Sequence, residues 1–297
     1  MNEQLLTYER KRNAFEKRYT AKVRKALNKQ LFEYVESYKQ GRADINIFTS
    51  FEVANVLFAI YSNVGKHFGR REYYNLRSEA KVRTNGVNKS VELSYQVKRA
   101  ALGFSIDWAN KIIERLRIQG LNLAQKISST TRRKVLYILQ EAQTENLSLD
   151  ETVKRLIEEV KEFNRNRAET IARTEVGRAA TEGKMQGAKE LGVELDKIWI
   201  SAEDYRVRRN PTGDARKGDH WKLNEQRRSF DEPFNNGVHR LNQPGDPNAP
   251  ASETINCRCT VVFKVKKDAQ GRTIRRNYID KPFIGNEFQL EAVLLEA

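Results

Sequence analysis

Apolar side chains recur every three or four residues near the start of the chain, at Phe15, Tyr19, Val23, Leu27, Leu31, Tyr34 and Tyr38. This spacing places them on one face and predicts a long amphipathic helix. Gly41 to Asn46 interrupts the pattern, and Ser50 is placed to cap a second helix through Val53, Leu57, Ile60 and Val64. A polar stretch, 81–89, carries the turn signal Asn85-Gly86. Further helices are expected over 91–103 and 106–127. Another, capped by Ser129, would bury Val135, Ile138, Leu139 and Ala142. Ser148 and Glu151 have the spacing of a capping box, in which each side chain serves the other residue's amide. That box opens a short helix through Val153, Leu156, Ile157 and Val160. A separate helix is predicted over 167–191, closed by Gly192 as a left-handed cap. Its alanines and its glycines at 177, 183 and 187 permit close approach of another element. Each glycine costs roughly 1 kcal/mol against alanine, so packing must hold this helix.

Beyond Gly192 the period changes from helical to alternating. Residues 197–201 read as a strand, as do 260–265. The latter is followed by a turn at 268–271 and a return strand over 273–279. Between the strands, 203–256 is rich in Gly, Asn and Asp and holds all but one of the prolines. A stretch that long with little pattern is functional or is tied down by something other than apolar burial. The tail, 285–297, is mildly acidic and apolar, as expected of a helix docking on a neighbouring subunit. The fold class expected is therefore α+β: long N-terminal helices and a helical middle, then a small strand-and-loop module with a C-terminal β-hairpin. The boundaries fall at 1–90 for a basic helical arm, 91–195 for the helical middle, 196–281 for the module and 282–297 for the tail. No internal repeat is visible.

Charge changes the picture more than composition does. The 297 residues carry a formal net charge of +15, with 39% hydrophobic and 31% charged residues and a mean hydropathy of -0.74. Such a chain carries much solvated helix and points to a polyanionic partner, nucleic acid or an acidic protein face. Between residues 9 and 29 there are nine Lys or Arg and two Glu. Arg10, Lys11, Arg12, Lys17, Arg18, Lys22, Arg24 and Lys25 are the candidate nucleic-acid contacts; the alternative is an ordinary helix with a basic solvated face. No apolar run is read as approaching the roughly 18 residues of a membrane span, so no membrane partner is expected. Residues 1–12 lack the apolar core of a signal peptide, which predicts a protein that is cytosolic when made.

Candidate chemistry gathers late in the chain. Trp199, Asp204, Arg206 and Arg208 come first, then Asp219 and His220. Pro244, Gly245, Asp246 and Pro247 follow, then Asn256, Cys257, Arg258 and Cys259. The prolines and Gly245 fix a turn mechanically. Cys257, Cys259 and His220, with His239 or Asp204, are candidates to hold a structural zinc, which favours four N, S or O ligands. A single Cys-x-Cys leaves this open against two small buried thiols. A Cys–His nucleophile pair, or Asp204 with Asp219 around Mg²⁺, would make the module an enzyme. The more economical reading is structural, with Arg206, Arg208 and Arg258 paired to Asp204, Asp219 and Asp246.

In this order, the motifs from Trp199 to Cys259 resemble the phage Mu protein F-like head morphogenesis family. The preceding helix, 167–176, resembles the helix that leads into the same module. The similarity covers roughly residues 130–265, with 209–218 as a charged insertion between Arg208 and Asp219. The resemblance implies a non-enzymatic minor head protein of a tailed bacteriophage. Its implied partners are the portal protein and the major capsid or scaffolding protein. Its implied location is the capsid interior near the portal, after assembly in the host cytoplasm. Lys and Arg facing packaged DNA would contact phosphate without reading sequence. The competing reading is a metal-dependent nucleic-acid-processing enzyme carried in the head. A third is a transferase-like effector, for which the sequence after residue 281 offers no obvious further domain.

Overall fold

A computed structural model describes residues 3–42, 44–81, 107–214 and 218–276. The helices are α1 (Glu3–Lys39), α2 (Phe51–Ile60), α3 (Lys66–Lys81), α4 (Asp107–Thr144), α5 (Leu149–Lys189) and the single turn α6 (Ala251–Thr254). A 3-10 turn, Ile45–Ile47, precedes α2, and a π turn, Tyr61–Gly65, joins α2 to α3. The strands are β1 (Leu195–Ile200), β2 (Arg227–Ser229), β3 (Phe234–Asn235), β4 (Arg240–Leu241) and β5 (Thr260–Val265). The α+β class is as expected, with long helices first and a small antiparallel sheet after them. The helix expected over 91–103 and the tail from 285 lie outside the described residues.

The chain divides into two compact units: Met1–Ile60 with Leu116–Val176, and Tyr61–Arg115 with Gly177–Ala297. In the first, α1 supplies Leu31, Tyr34 and Val35 to a core shared with Val135 and Ile138 of α4 and Val153, Leu156 and Val160 of α5. Phe48 plugs one end, its ring 5.3 Å from that of Tyr34. Ser128 donates to the Thr49 carbonyl at 2.9 Å. Arg167 reaches from α5 to the Thr131 hydroxyl at 2.9 Å and to the Ile127 carbonyl at 3.1 Å. Burial lowers that guanidinium to about 10.

Two helix boundaries differ from the expectation. Helix α4 runs through Ser129 without a break, so the cap expected there does not form, and the two hydroxyls that follow bond backward within the helix. Thr130 donates to the Lys126 carbonyl at 2.7 Å and Thr131 to that of Ile127 at 3.3 Å. The two helices expected on either side of residues 161–166 are one, α5, since no glycine or proline stands between them. Its start is as drawn from sequence: the Ser148 amide donates to Glu151 at 2.8 Å, and the Glu151 amide to the Ser148 hydroxyl at 3.3 Å. Its end is too, with Gly192 at φ 65.

The absence of a span-like apolar run is also corrected. The helical stretch Ile45–Ala80 contains an 18-residue window of mean hydropathy 1.3, enough by length and composition to cross a bilayer. Val53, Ala54, Leu57, Ile60, Tyr61 and Val64 along it are buried in the protein. A third of that window, 33%, is buried inside the protein.

In the second unit the sheet order is β2-β1-β5, all antiparallel. Register sets Leu195 opposite Val265, Lys197 opposite Phe263 and Trp199 opposite Val261, so these six share one face. That face packs with Phe230 against Leu76 of α3 and Ala188 of α5. Lys197 is buried there, lowered to about 8 by burial, with its Nζ donating to the Asn242 carbonyl at 2.8 Å. After the 268–271 turn the chain pairs back only at Lys267–Thr273, and from there it bridges Val193 through Arg275, so the expected return strand is reduced to two isolated bridges among the described residues.

The close approach anticipated for the glycines is met by two more glycines. A Cβ at Gly183 would stand 2.3 Å from the Gly65 carbonyl oxygen, and one at Gly187 would stand 2.1 Å from that of Gly69. Backbone meets backbone at both points, so no side-chain rotation relieves the clash. Gly183→Ala and Gly187→Ala should each destabilise the protein by about 1–3 kcal/mol despite alanine's better helix propensity. Urea denaturation checks this, and unchanged or raised midpoints would refute the contact.

Candidate functional site

Beyond the end of β1 the irregular segment folds around Trp199, which is 0% exposed and packs with Val207, Leu223, Phe234, Leu241, Cys257 and Cys259. The indole meets the His220 ring edge-on at 5.3 Å and the Phe234 ring at the same distance. Strand periodicity explains why Trp199 points here: it lies on the buried face of β1, at its last buried position.

His220 is delivered by a closed loop. The Arg208 carbonyl accepts from the amides of His220 at 3.1 Å and Trp221 at 3.2 Å, so the loop leaves and returns at one point. The charged insertion between Arg208 and Asp219 therefore leaves His220 1% exposed. Its Nδ1 faces both sulfurs, 3.7 Å from Cys257 and 3.8 Å from Cys259. Its Nε2 lies 2.7 Å from the Glu253 carboxylate. Glu253, on α6, also accepts from Asn236 Nδ2 at 2.9 Å and meets His239 Nδ1 at 3.1 Å. Gly218 lies close against this pair: a Cβ there would fall 2.1 Å from Asn236 Nδ2 and 2.5 Å from Glu253 Oε1 and would displace their side chains.

The cysteines enter from a tight corner. Asn256 takes φ 58, and the Cys257 amide donates to the Thr254 carbonyl at 3.2 Å. The extended run into β5 then turns both thiols to one side, as alternate residues do. Both are buried and free of disulfides. Burial opposes a charge on His220, but its bonds to Cys257 and Glu253 outweigh burial and raise it to about 9. Cys259's hydrogen bond draws the Cys257 thiol well below its usual range, with His220 adding to the effect against burial. The bond to His220 likewise lowers Glu253.

The remaining motif residues are spent on holding the backbone. Asp204 pairs with Arg206 at 3.3 Å and with Arg258. Arg208 donates to the carbonyls of Ser252 and Ile255, not to a carboxylate as expected. Asp219 accepts from the amides of Asn210 at 3.2 Å, Trp221 at 2.9 Å and Lys222 at 3.0 Å. Asp246 accepts from the amides of Asn242 at 2.7 Å and Asn248 at 2.9 Å. The arginine–carboxylate network is thus confined to Asp204, because Asp219 and Asp246 answer unpaired N–H groups of the turns they occupy. Pro244 is buried, and Gly245 takes φ 70 with room for close passage beside Arg178 of α5. Gln243 anchors the same turn to α5 through Glu182 at 2.9 Å. Asp204 and His239, weighed as further metal ligands, face Arg258 and Glu253 respectively. Glu253 and Asn236 carry no spacing signal in the sequence and were not anticipated.

On α1, Arg10, Lys11, Lys17, Arg18, Lys22, Arg24 and Lys25 are exposed. At the ideal helical advance they fall within about 160° of arc, opposite Tyr19, Val23 and Leu27. Arg12 lies outside that stripe: it is buried and pairs with Glu16 at 2.9 Å, so it is withdrawn from the candidate contacts.

Residues 122–262 match the family model described as Phage Mu protein F like protein. Among curated proteins, the chain is 34% identical over 113 residues to the NAD(+)--arginine ADP-ribosyltransferase EFV of Enterococcus faecalis (strain ATCC 700802 / V583). That match covers 37% of this chain and 21% of the relative, so the chain spans about a fifth of that protein. No solved structure matches.

Asp246→Ala would take the charged acceptor from the amides of Asn242 and Asn248 in the turn, at a cost of about 1–3 kcal/mol. Asp204→Ala, which frees partly exposed arginines and the exposed Arg206 amide, should cost less, about 1 kcal/mol. Equal losses in urea denaturation would contradict this division of roles.

Proposed function

We propose that this chain, Phage Mu protein F-like over residues 122–262, is a minor head protein of a tailed bacteriophage. A segment of this family marks a component of phage head morphogenesis, and the family match is the observation that carries the reading. In the finer reading the protein sits in the capsid interior near the portal. It binds the portal protein and the major capsid or scaffolding protein, and it meets packaged DNA through α1. The cationic stripe supports the DNA contact: Arg10, Lys11, Lys17, Arg24 and Lys25 have no acidic partner among the described residues. Lys and Arg spread along one helix face suit phosphate rather than bases, since the ring beside Arg18 and Lys22, that of Tyr19, is buried. The role is structural. Asp204 and Asp219 are engaged by arginine and by backbone amides, and His220 with both thiols is buried. The activity in the relative's name belongs to a chain of which a fifth is matched, and it is not carried over.

The protein should co-purify with mature heads, and a tagged chain should retain portal protein in pull-downs. Heads that lack it and still assemble and fill normally would end the proposal.

For DNA, seven phosphate contacts give a slope of roughly −6 in log K against log salt concentration, about −0.9 for each contact. Replacing Lys17, Arg24 and Lys25 with Gln should make that slope shallower by roughly 3, equally for any duplex sequence. Fluorescence anisotropy over a salt series tests it, and an unchanged slope would place the contact elsewhere.

A further inference from the structure

We infer that His220 Nδ1, Cys257 Sγ and Cys259 Sγ form a zinc site, with Glu253 as the outer partner that orients the histidine. The three ligand atoms lie within 4.8 Å of one another, and all three residues are buried. Around a tetrahedral zinc, with Zn–S of about 2.3 Å and Zn–N of about 2.0–2.1 Å, nitrogen and sulfur stand about 3.6 Å apart. The two His220–cysteine distances, 3.7 and 3.8 Å, already have that value. A hydrogen bond explains one such contact, but one ring nitrogen facing two sulfurs at equal range is the geometry of a shared ion.

The far side of the ring gives the second, independent argument. A histidine that ligates through one nitrogen usually donates its other N–H to a carboxylate, which fixes the tautomer and the ring plane. Glu253 stands at 2.7 Å from Nε2 and is itself fixed by Asn236 and His239. Glu253 is 2% exposed. A carboxylate buried this deeply is costly unless matched, and here it aligns the imidazole for a ligand on the opposite side. Two thiolates and one imidazole select a soft or borderline ion, and their charges offset that of Zn²⁺. Among the described residues the chain supplies three of the four positions of a tetrahedral zinc. The ion would tie the Arg208–Asp219 loop to the corner at 254–259 in a segment whose strands β2 to β4 span only two or three residues each.

The test uses the full chain, purified under reducing conditions without chelator, and elemental analysis should find about one zinc per chain. Titration of metal-stripped protein with Co²⁺ should produce thiolate-to-cobalt charge transfer and strong visible bands of tetrahedral coordination. Cys257→Ser and Cys259→Ser should each abolish those bands. Glu253→Gln should still reach one zinc at saturation but bind about 10–100-fold more weakly in chelator competition. If the serine variants fail to fold, the cobalt spectrum of the unaltered chain decides. Folded protein that contains no zinc and gives no thiolate–cobalt band would overturn the site, and stoichiometric iron or copper in place of zinc would overturn the choice of ion.

Discussion

A carboxylate sealed from water has to be answered bond for bond, and in the C-terminal module Glu253 sets the terms for everything near it. His220, Asn236 and His239 all meet it, and these three come from two different loops. Gly218 passes close to the same carboxylate, which a side chain there would have to displace. Once the imidazole is held there, its other nitrogen reaches the cysteines and its edge reaches Trp199. The irregular segment is thus organised from a polar centre outward, with the apolar cluster around Trp199 closing over it. Asp219 and Asp246 do the same locally, each answering amides that the turns would otherwise leave unpaired.

The helical unit follows a different economy. Its core is a line of aliphatic and aromatic contacts among α1, α4 and α5, and most of the charge remains in water. Polar side chains that do enter the interior find backbone partners, as Arg167 and Ser128 do. The basic stripe of α1 lies opposite the buried Tyr19, Val23 and Leu27 and can be rich in cations without disturbing their packing.

Elements with a local cause were legible in the sequence. The α1 period, the Ser148–Glu151 box, the Gly192 cap and the full extent of β5 each follow from neighbouring residues alone. Where the reading failed, an ambiguous residue had two local uses. Ser129, Thr130 and Thr131 can start a helix or bond backward inside one, and Thr130 and Thr131 take the second course. In the site, Trp199, His220 and the cysteine pair could be singled out by residue type. Glu253 could not, because an acid in Ser-Glu-Thr on a four-residue helix looks like any surface acid until the fold encloses it. Arg12 failed for the opposite reason: it is one cation in a run of them, and only the helix register turns it inward.

The paired glycines have a consequence for how the chain becomes rigid. Gly183 and Gly187 sit in a stretch of α5 that is poor in intrinsic helix stability, and their counterparts Gly65 and Gly69 lie far earlier in the sequence. The second half of α5 thus owes its stability to a backbone contact remote in sequence rather than to its own residues.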